Sequence, residues 1–364
     1  MSINTLNVGI IATEHSGDLL GHALLTEIRK ISNVAIYGIG LEKLASLGLS
    51  SPNVETHYLN VMGIIDPIRN LSKILTIRKK VIDFLLSNQI DIFIGIDSPD
   101  FNMGIHKIMH SKGIRTIQLV SPSVWAWRQN RIKKIKKYID CTLCLFPFEK
   151  QFYDASNTQA IFVGHPFSNI EDFYQQEKSD EFIALLPGSR ESELVNIFPI
   201  MLEFAKKISA KDSSKHFLIP AASVKQKNFI IDLCNKALIK FTCDVDSMRD
   251  FLVKSNIAVV TSGTATLEAA CYGSSPIICY KTSRLNYAIL SRLNKAPFIG
   301  LPNLILNKLA FPELIQDNLT AEKILESYHK LSFDQQKKES LTQLKSAIKG
   351  EGFSKAASYI ISSK

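Results

Sequence analysis

The chain lacks most of the signatures from which a function is usually read. No Walker A pattern, no G-x-G-x-x-G and no G-x-S-x-G occurs in its 364 residues. A P-loop, a dinucleotide fingerprint and a hydrolase nucleophile elbow are therefore excluded. No apolar run approaches ~20 residues, so no membrane-spanning helix is expected. The opening residues, MSINTLNVGII, carry neither a basic leader nor a small-residue cleavage site and read as a first strand. No His and Cys residues cluster with metal-ligand spacing. The six cysteines (Cys141, Cys144, Cys234, Cys243, Cys271 and Cys279) are scattered through apolar runs. Cys141-x-x-Cys144 sits in CTLCLF, a buried-strand sequence, so free thiols in a reducing compartment are expected. Repeats and low-complexity tracts are also missing.

What is present describes a folded α/β protein. Hydrophobic residues make up 46% and charged residues 21%, the balance of a globular chain long enough for two cores. The net charge, 43 − 34 = +9, implies an anionic partner: nucleic acid, a phospholipid surface or a phosphorylated substrate. Charge alone does not choose among them. Short apolar runs alternate with helical patterns throughout, beginning with Leu6–Ala12 and Leu19–Lys30. That alternation predicts two doubly wound, Rossmann-like parallel sheets facing a cleft. The polar stretch Ser168–Asp180 reads as a linker, giving domains of 1–168 and 181–344.

One stretch carries the clearest local signal. Ile257–Val260 has the β-branched content of a buried parallel strand, Thr261–Thr264 is all turn and cap residues, and a helix follows from Ala265. A strand, a glycine turn and a helix start make an anion site, because the first N–H groups of a helix are unpaired and positively polarised. Ser262, Gly263, Thr264, Ala265 and Thr266 would form it, with Glu268 able to accept from a sugar diol. A plain capped helix explains the stretch equally well. A second turn, Pro187-Gly188-Ser189-Arg190, places a guanidinium suited to phosphate oxygens beside another helix start. A surface Arg190 paired to Glu191 or Glu193 explains the pattern as well.

The exits of the N-terminal strands hold Glu14, Ser16, Asp18, Asp97, Asp100, Asn102, Ser121 and Arg128. Asp97 ends a continuous apolar strand, so partial desolvation should raise its basicity and suit it to general-base work. Its competing role, helix capping, falls more naturally to Ser98 or Asp100. His15 and His165 are isolated and read as hydrogen-bonding residues. Two stretches, Ile64–Val81 and Trp125–Lys137, interleave Lys and Arg with apolar or aromatic residues, as an anionic lipid surface would require. One-sided core packing explains the first of them as well.

These motifs together resemble the lipid-A-disaccharide synthase family of GT-B glycosyltransferases. The resemblance rests on Glu14–Asp18, Val61–Ile64, Gly95–Asn102, Val120–Arg128, Leu145–Glu149, Val163–Pro166, Leu186–Arg190 with Glu193, Ser262–Glu268, Leu301–Leu304 and Glu313–Gln316, in order along nearly the whole chain. SPSVWAWR is the most specific segment. Thr13 departs from the family's usual Gly, which should stiffen the first loop without removing a functional group.

The resemblance implies inverting transfer of 2,3-diacylglucosamine from its UDP derivative to lipid X, forming a β(1→6) disaccharide without a metal or other cofactor. Asp97 would be the base. Gly188, Ser189, Arg190 and Ser262–Thr266 would hold the diphosphate, and Glu268 the ribose. Asn303 and Gln316 would line the nucleotide side, while Glu14, Ser16, Asp100 and Arg128 would line the acceptor or sugar site. It further implies docking on the inner face of the cytoplasmic membrane of a Gram-negative bacterium, without nucleic acid. GT-B chains commonly return their last helix, here about 345–364, to the first domain, and a homodimer is compatible. A UDP-sugar 2-epimerase and a non-catalytic basic binding protein are the competing readings.

Overall fold

The computed structural model describes residues 5–59, 71–124, 129–170, 178–283, 287, 296–333 and 336–362. The chain divides into two compact units, Met1–His165 with Lys349–Lys364, and Pro166–Ile348. Each is built on one parallel sheet. The first sheet comprises β1 (Leu6–Ile11), β2 (Val34–Ile39), β3 (Leu49–Ser50), β4 (Ile92–Ile96), β5 (Arg115–Leu119), β6 (Cys141–Cys144) and β7 (Ala160–Phe162), in the order β3-β2-β1-β4-β5-β6-β7. The second comprises β8 (Phe182–Leu186), β9 (His216–Ala221), β10 (Phe241–Val245), β11 (Ile257–Thr261), β12 (Ser275–Tyr280) and β13 (Glu313–Ile315), in the order β10-β9-β8-β11-β12-β13. Both bear out the expected doubly wound α/β class.

The central strands are covered by helices on both faces, which is why their sequences run apolar without alternation. Every residue of β4, IFIGI, and of β11, IAVVT, is buried. In the first unit, one face packs Leu20, Leu24 and Leu25 with Ala356, Ala357 and Ile360 of the last helix, Gly352–Ser362. The other face packs Val81 and Leu85 of Leu71–Ser87 with Ile105 and Met109 of Pro99–Ser111.

The return of the chain to this unit has its own fastenings. Glu351 N–H donates to Phe162 O at 2.8 Å and Gly352 N–H to Val163 O at 3.0 Å. Arg115 donates to Ile360 O at 2.7 Å and stacks over the Tyr359 ring. At Gly350, with φ +57, a Cβ would lie 2.2 Å from Gly164 N, so only glycine lets the two backbones meet.

The expected helix Glu193–Ser209 is two, Glu191–Asn196 and Phe198–Lys211. Pro199 lies in the first turn of the second, where its missing N–H costs nothing, but it could not continue the first. The edge strands β3 and β13 escaped the sequence reading because two or three residues show no periodicity. The expected helix Leu285–Leu293, Val61–Ile64, Ile68 and most of the linker lie wholly or largely outside the described residues. The linker's end is anchored: Lys178 Nζ donates to Leu252 O, Ser255 O and Tyr272 O at 3.0, 3.2 and 2.8 Å.

Candidate functional site

In an open parallel sheet, ligands bind beyond the strand C-termini where the strand order reverses. In the second sheet that point lies between β8 and β11. A cavity of about 510 Å3 opens there, lined by Gly188, Ser189, Arg190, Ser262, Gly263, Thr264, Ala265 and Glu268. This volume suits a nucleotide-sized ligand. The two turns suspected from sequence are thus neighbours around one space. Gly263 is the N-cap of the helix Thr264–Cys271, so its unpaired N–H groups and positive dipole end adjoin the cavity. Ser262 is fixed by its N–H to Cys279 O (2.8 Å) and its hydroxyl to Ile299 O (3.1 Å).

Arg190 stands exposed at the rim, with Nη1 3.3 Å from Glu193 Oε1. An exposed pair of this kind is weak, so the guanidinium can exchange Glu193 for a ligand oxyanion. Glu268 faces the cavity and burial raises its pKa. Gly188 O accepts from Gln226 Nε2 at 2.6 Å, while Gln226 Oε1 accepts from Ala222 N–H at 2.5 Å. Gln226 thereby ties the exits of β8 and β9. The sequence reading missed it, and also missed Asp246, Ser247 and Met248 on the cavity wall. The polar turn after β10 was their only signal.

Three expected nucleotide residues are engaged by other groups of the chain in this structure. Asn303 is fully buried; its amide donates to Phe311 O and Glu313 Oε1, while its carbonyl accepts from Ala310 and Phe311 N–H. Gln316 closes a double hydrogen bond on the Thr282 backbone at 2.7 and 3.1 Å. Thr266 is buried with its hydroxyl on Gly263 O at 2.7 Å. None of them lines the cavity.

The first sheet reverses between β1 and β4, and the remaining described candidates gather at that point. Thr13 Oγ1 and Ser98 Oγ are 2.8 Å apart, a hydrogen bond across the two exits. The residue that departs from the family pattern therefore latches this site. Asp97 is half-buried, and burial raises its pKa. Glu14 is raised by burial first and by the Asp97 charge second. The Asp97 charge thus reaches Glu14 and disfavours its ionisation. Ser16 is exposed in the first turn of the helix His15–Arg29. Asp100 is exposed and ion-paired with Arg131. Arg128 lies outside the described residues. Asp18 serves the fold instead, accepting from the N–H groups of Leu41, Lys43 and Leu44 at the start of the next helix.

Two further motif residues are structural. The His165 ring stacks on Phe146 at 5.5 Å, and burial lowers its pKa to about 4. Glu149 is buried and accepts from Leu145 and Phe146 N–H at 3.0 and 3.1 Å. Burial pushes its carboxyl up to about 8 from 4.5. Between those values the native state holds the proton and the unfolded chain has lost it, so this group's stability contribution falls as pH rises from 4.5 through 8. Glu149→Gln, whose carbonyl can still accept both bonds, should flatten the pH dependence of the thermal midpoint in that window. Glu149→Ala should cost about 2–4 kcal/mol by stranding two buried N–H groups. Thermal melts of the three proteins at pH 5.5 and 8 check both outcomes.

Comparison with known proteins adds to this geometry. The family model described as Lipid-A-disaccharide synthetase matches residues 8–361. The lipid-A-disaccharide synthase of Idiomarina loihiensis is 39% identical over 331 residues, spanning 87% of each chain. Among solved structures, a putative UDP-N-acetylglucosamine 2-epimerase from Listeria monocytogenes superposes with a TM-score of 0.62 at 12% identity, covering 99% of this chain and 96% of its own. CalG4, the calicheamicin glycosyltransferase, gives 0.60 at 12% identity, covering 100% and 98%. At that identity the structural likeness speaks for the fold alone, which is GT-B. The sequence match over nearly the whole length decides the rest: the chain belongs to the lipid-A-disaccharide synthase family.

Proposed function

We propose that this protein is an inverting glycosyltransferase that moves 2,3-diacylglucosamine from UDP-2,3-diacylglucosamine onto the 6-hydroxyl of lipid X, releasing UDP. The match over residues 8–361 is the observation that carries this reading. The first unit supplies the base. Asp97 takes the proton of the acceptor hydroxyl as its oxygen forms the bond to the anomeric carbon. The bond from that carbon to the diphosphate breaks on the opposite face, its electron pair leaving with UDP, so the configuration inverts. The second unit meets the charge that develops on the leaving group, through Arg190, the turn at Gly188 and Ser189, and the helix N-terminus at Gly263–Ala265. Glu268 accepts from the ribose hydroxyls. Glu14 and Ser16 line the acceptor side.

Both substrates carry acyl chains, and the helix Leu71–Ser87 exposes Leu71 and Leu75 beside Lys73, Lys79 and Lys80. An apolar and basic face of this kind supports peripheral docking on an anionic inner-membrane surface. No helix among the described residues is long and apolar enough to cross a membrane.

The test is UDP release by the pure protein given both lipid substrates. Release that requires both, with a disaccharide product, is the expected result; epimerised sugar or no UDP binding would overturn the reading. Arg190→Ala should weaken UDP binding by about 10–100-fold, from ~1.5–3 kcal/mol of charge-assisted hydrogen bonding. Unchanged titration would leave Arg190 as a rim ion pair with Glu193.

A further inference from the structure

Behind Asp97 lies a buried polar network that no step of the transfer uses. Asp97 and Ser98 both have left-handed backbone, with φ of 46° and 39°. Val120, at the exit of the neighbouring β5, has φ 69°, an outlier for a β-branched residue. Two adjacent strand exits are thus held in conformations that side-chain-bearing residues avoid, and such strain persists only where the surroundings enforce it.

Besides backbone bonds such as Asp97 N–H to Leu119 O at 3.0 Å and Val120 N–H to Leu143 O at 3.1 Å, side-chain amides hold these exits. Gln118 Nε2 lies 3.2 Å from Asp97 O, 3.1 Å from Leu119 O and 3.2 Å from Val120 O, so one amide bridges both strained exits. Asn102 Nδ2 donates to Asp97 O at 2.9 Å and to Ile96 O at 3.2 Å. On its far side, Gln118 Oε1 accepts from His106 Nε2 at 2.9 Å. The three carbonyls require the Gln118 nitrogen to face them, so its oxygen faces the imidazole and His106 carries its proton on Nε2. Burial lowers the pKa of His106 to about 4, keeping this neutral tautomer in place.

Asn102, His106 and Gln118 are each at most 1% exposed. Gly95 leaves them room, since a Cβ there would fall 2.8 Å from His106 Nε2 and 3.1 Å from the Asn102 side chain. The network is kept although Asn102 Oδ1 and His106 Nδ1 are buried without partners among the described residues. An apolar filling of the same volume would avoid that cost.

We infer that Gln118, oriented by His106 and assisted by Asn102, is a positioning residue that aims the Asp97 carboxylate at the acceptor hydroxyl. The inference rests on Asp97 being the base. His106→Leu removes the donor that fixes the Gln118 amide, whereas His106→Gln keeps a donor near the same place; Gln118→Glu removes the amide donor itself. In UDP-release assays, His106→Leu and Gln118→Glu are expected to lower kcat by about 10–100-fold, the scale of an ångström of misalignment. KM for the UDP-sugar should stay unchanged. The acid limb of the pH–rate profile, which reads the half-buried Asp97, should move to lower pH as the carboxylate gains water. His106→Gln should restore most of kcat. Native kcat and acid limb in folded His106→Leu overturn the inference. So does a loss of activity that tracks the thermal midpoint while the acid limb stays still. If Gln118→Glu does not fold, the His106 pair still decides. Near-native turnover of Asp97→Asn would instead remove the base, whatever the His106 variants do.

Discussion

Asp97→Asn is expected to lower kcat by about 10²–10⁴-fold, the usual contribution of a positioned general base, with UDP affinity unchanged. Asn matches Asp in shape, so the left-handed elbow at residues 97 and 98 and the Thr13–Ser98 latch should persist. What it lacks is an oxygen basic enough to take the acceptor proton. The residual rate then measures the transfer with water as the proton acceptor. The native enzyme has a further signature. A base must be ionised, and burial raises the Asp97 pKa above 3.8, so kcat/KM should fall on the acid side at a pH above that value. Turnover of the Asn variant within about threefold of native, far short of that loss, would transfer the role to another group, with Glu14 first in line because it feels the Asp97 charge.

The second large effect is expected from a methyl group. Gly188 has φ +94, and a Cβ there would stand 2.1 Å from Glu193 Oε2 and 3.0 Å from Glu193 Cβ. Glu193 cannot retreat without loss, because its carboxylate accepts from both the backbone N–H and the guanidinium of Arg190. Gly188→Ala should therefore strain the turn by about 1–3 kcal/mol and displace Arg190 together with the carbonyl that Gln226 holds. UDP affinity should fall by at least the roughly 10–100-fold expected for losing the Arg190 contacts, with a lowered thermal midpoint. Calorimetric titration of UDP checks this. Wild-type affinity in a folded Gly188→Ala protein would place the diphosphate away from this turn.

The fold class was legible because buried parallel strands must be apolar along their whole length, as in IFIGI and IAVVT. Strand exits were equally legible: a polar or glycine turn interrupts each run, and Asp97, Gly188–Arg190 and Ser262–Ala265 all lie at such interruptions. Membership of a synthase family could be seen in the motif order. A family motif, however, does not separate a residue that binds ligand from one that holds the motif in shape. Asn303, Gln316 and Thr266 have the right chemistry for a nucleotide, yet each bonds other groups of its own chain: Gln316 and Thr266 backbone, Asn303 backbone and the Glu313 carboxylate. The same ambiguity hid Gln118, His106 and Gln226: Gln118 bonds Asp97 O and the His106 ring, and Gln226 bonds Gly188 O and Ala222 N–H.

The sequence by itself thus determined the two α/β units, the turns that carry chemistry and the class of reaction, because these follow from local periodicity, backbone preference and motif identity. Only the tertiary structure decided which polar side chains remain available to a ligand. That depends on whether another segment arrives to satisfy them, and a hydrogen bond between residues far apart in the chain leaves no mark on the composition of either one.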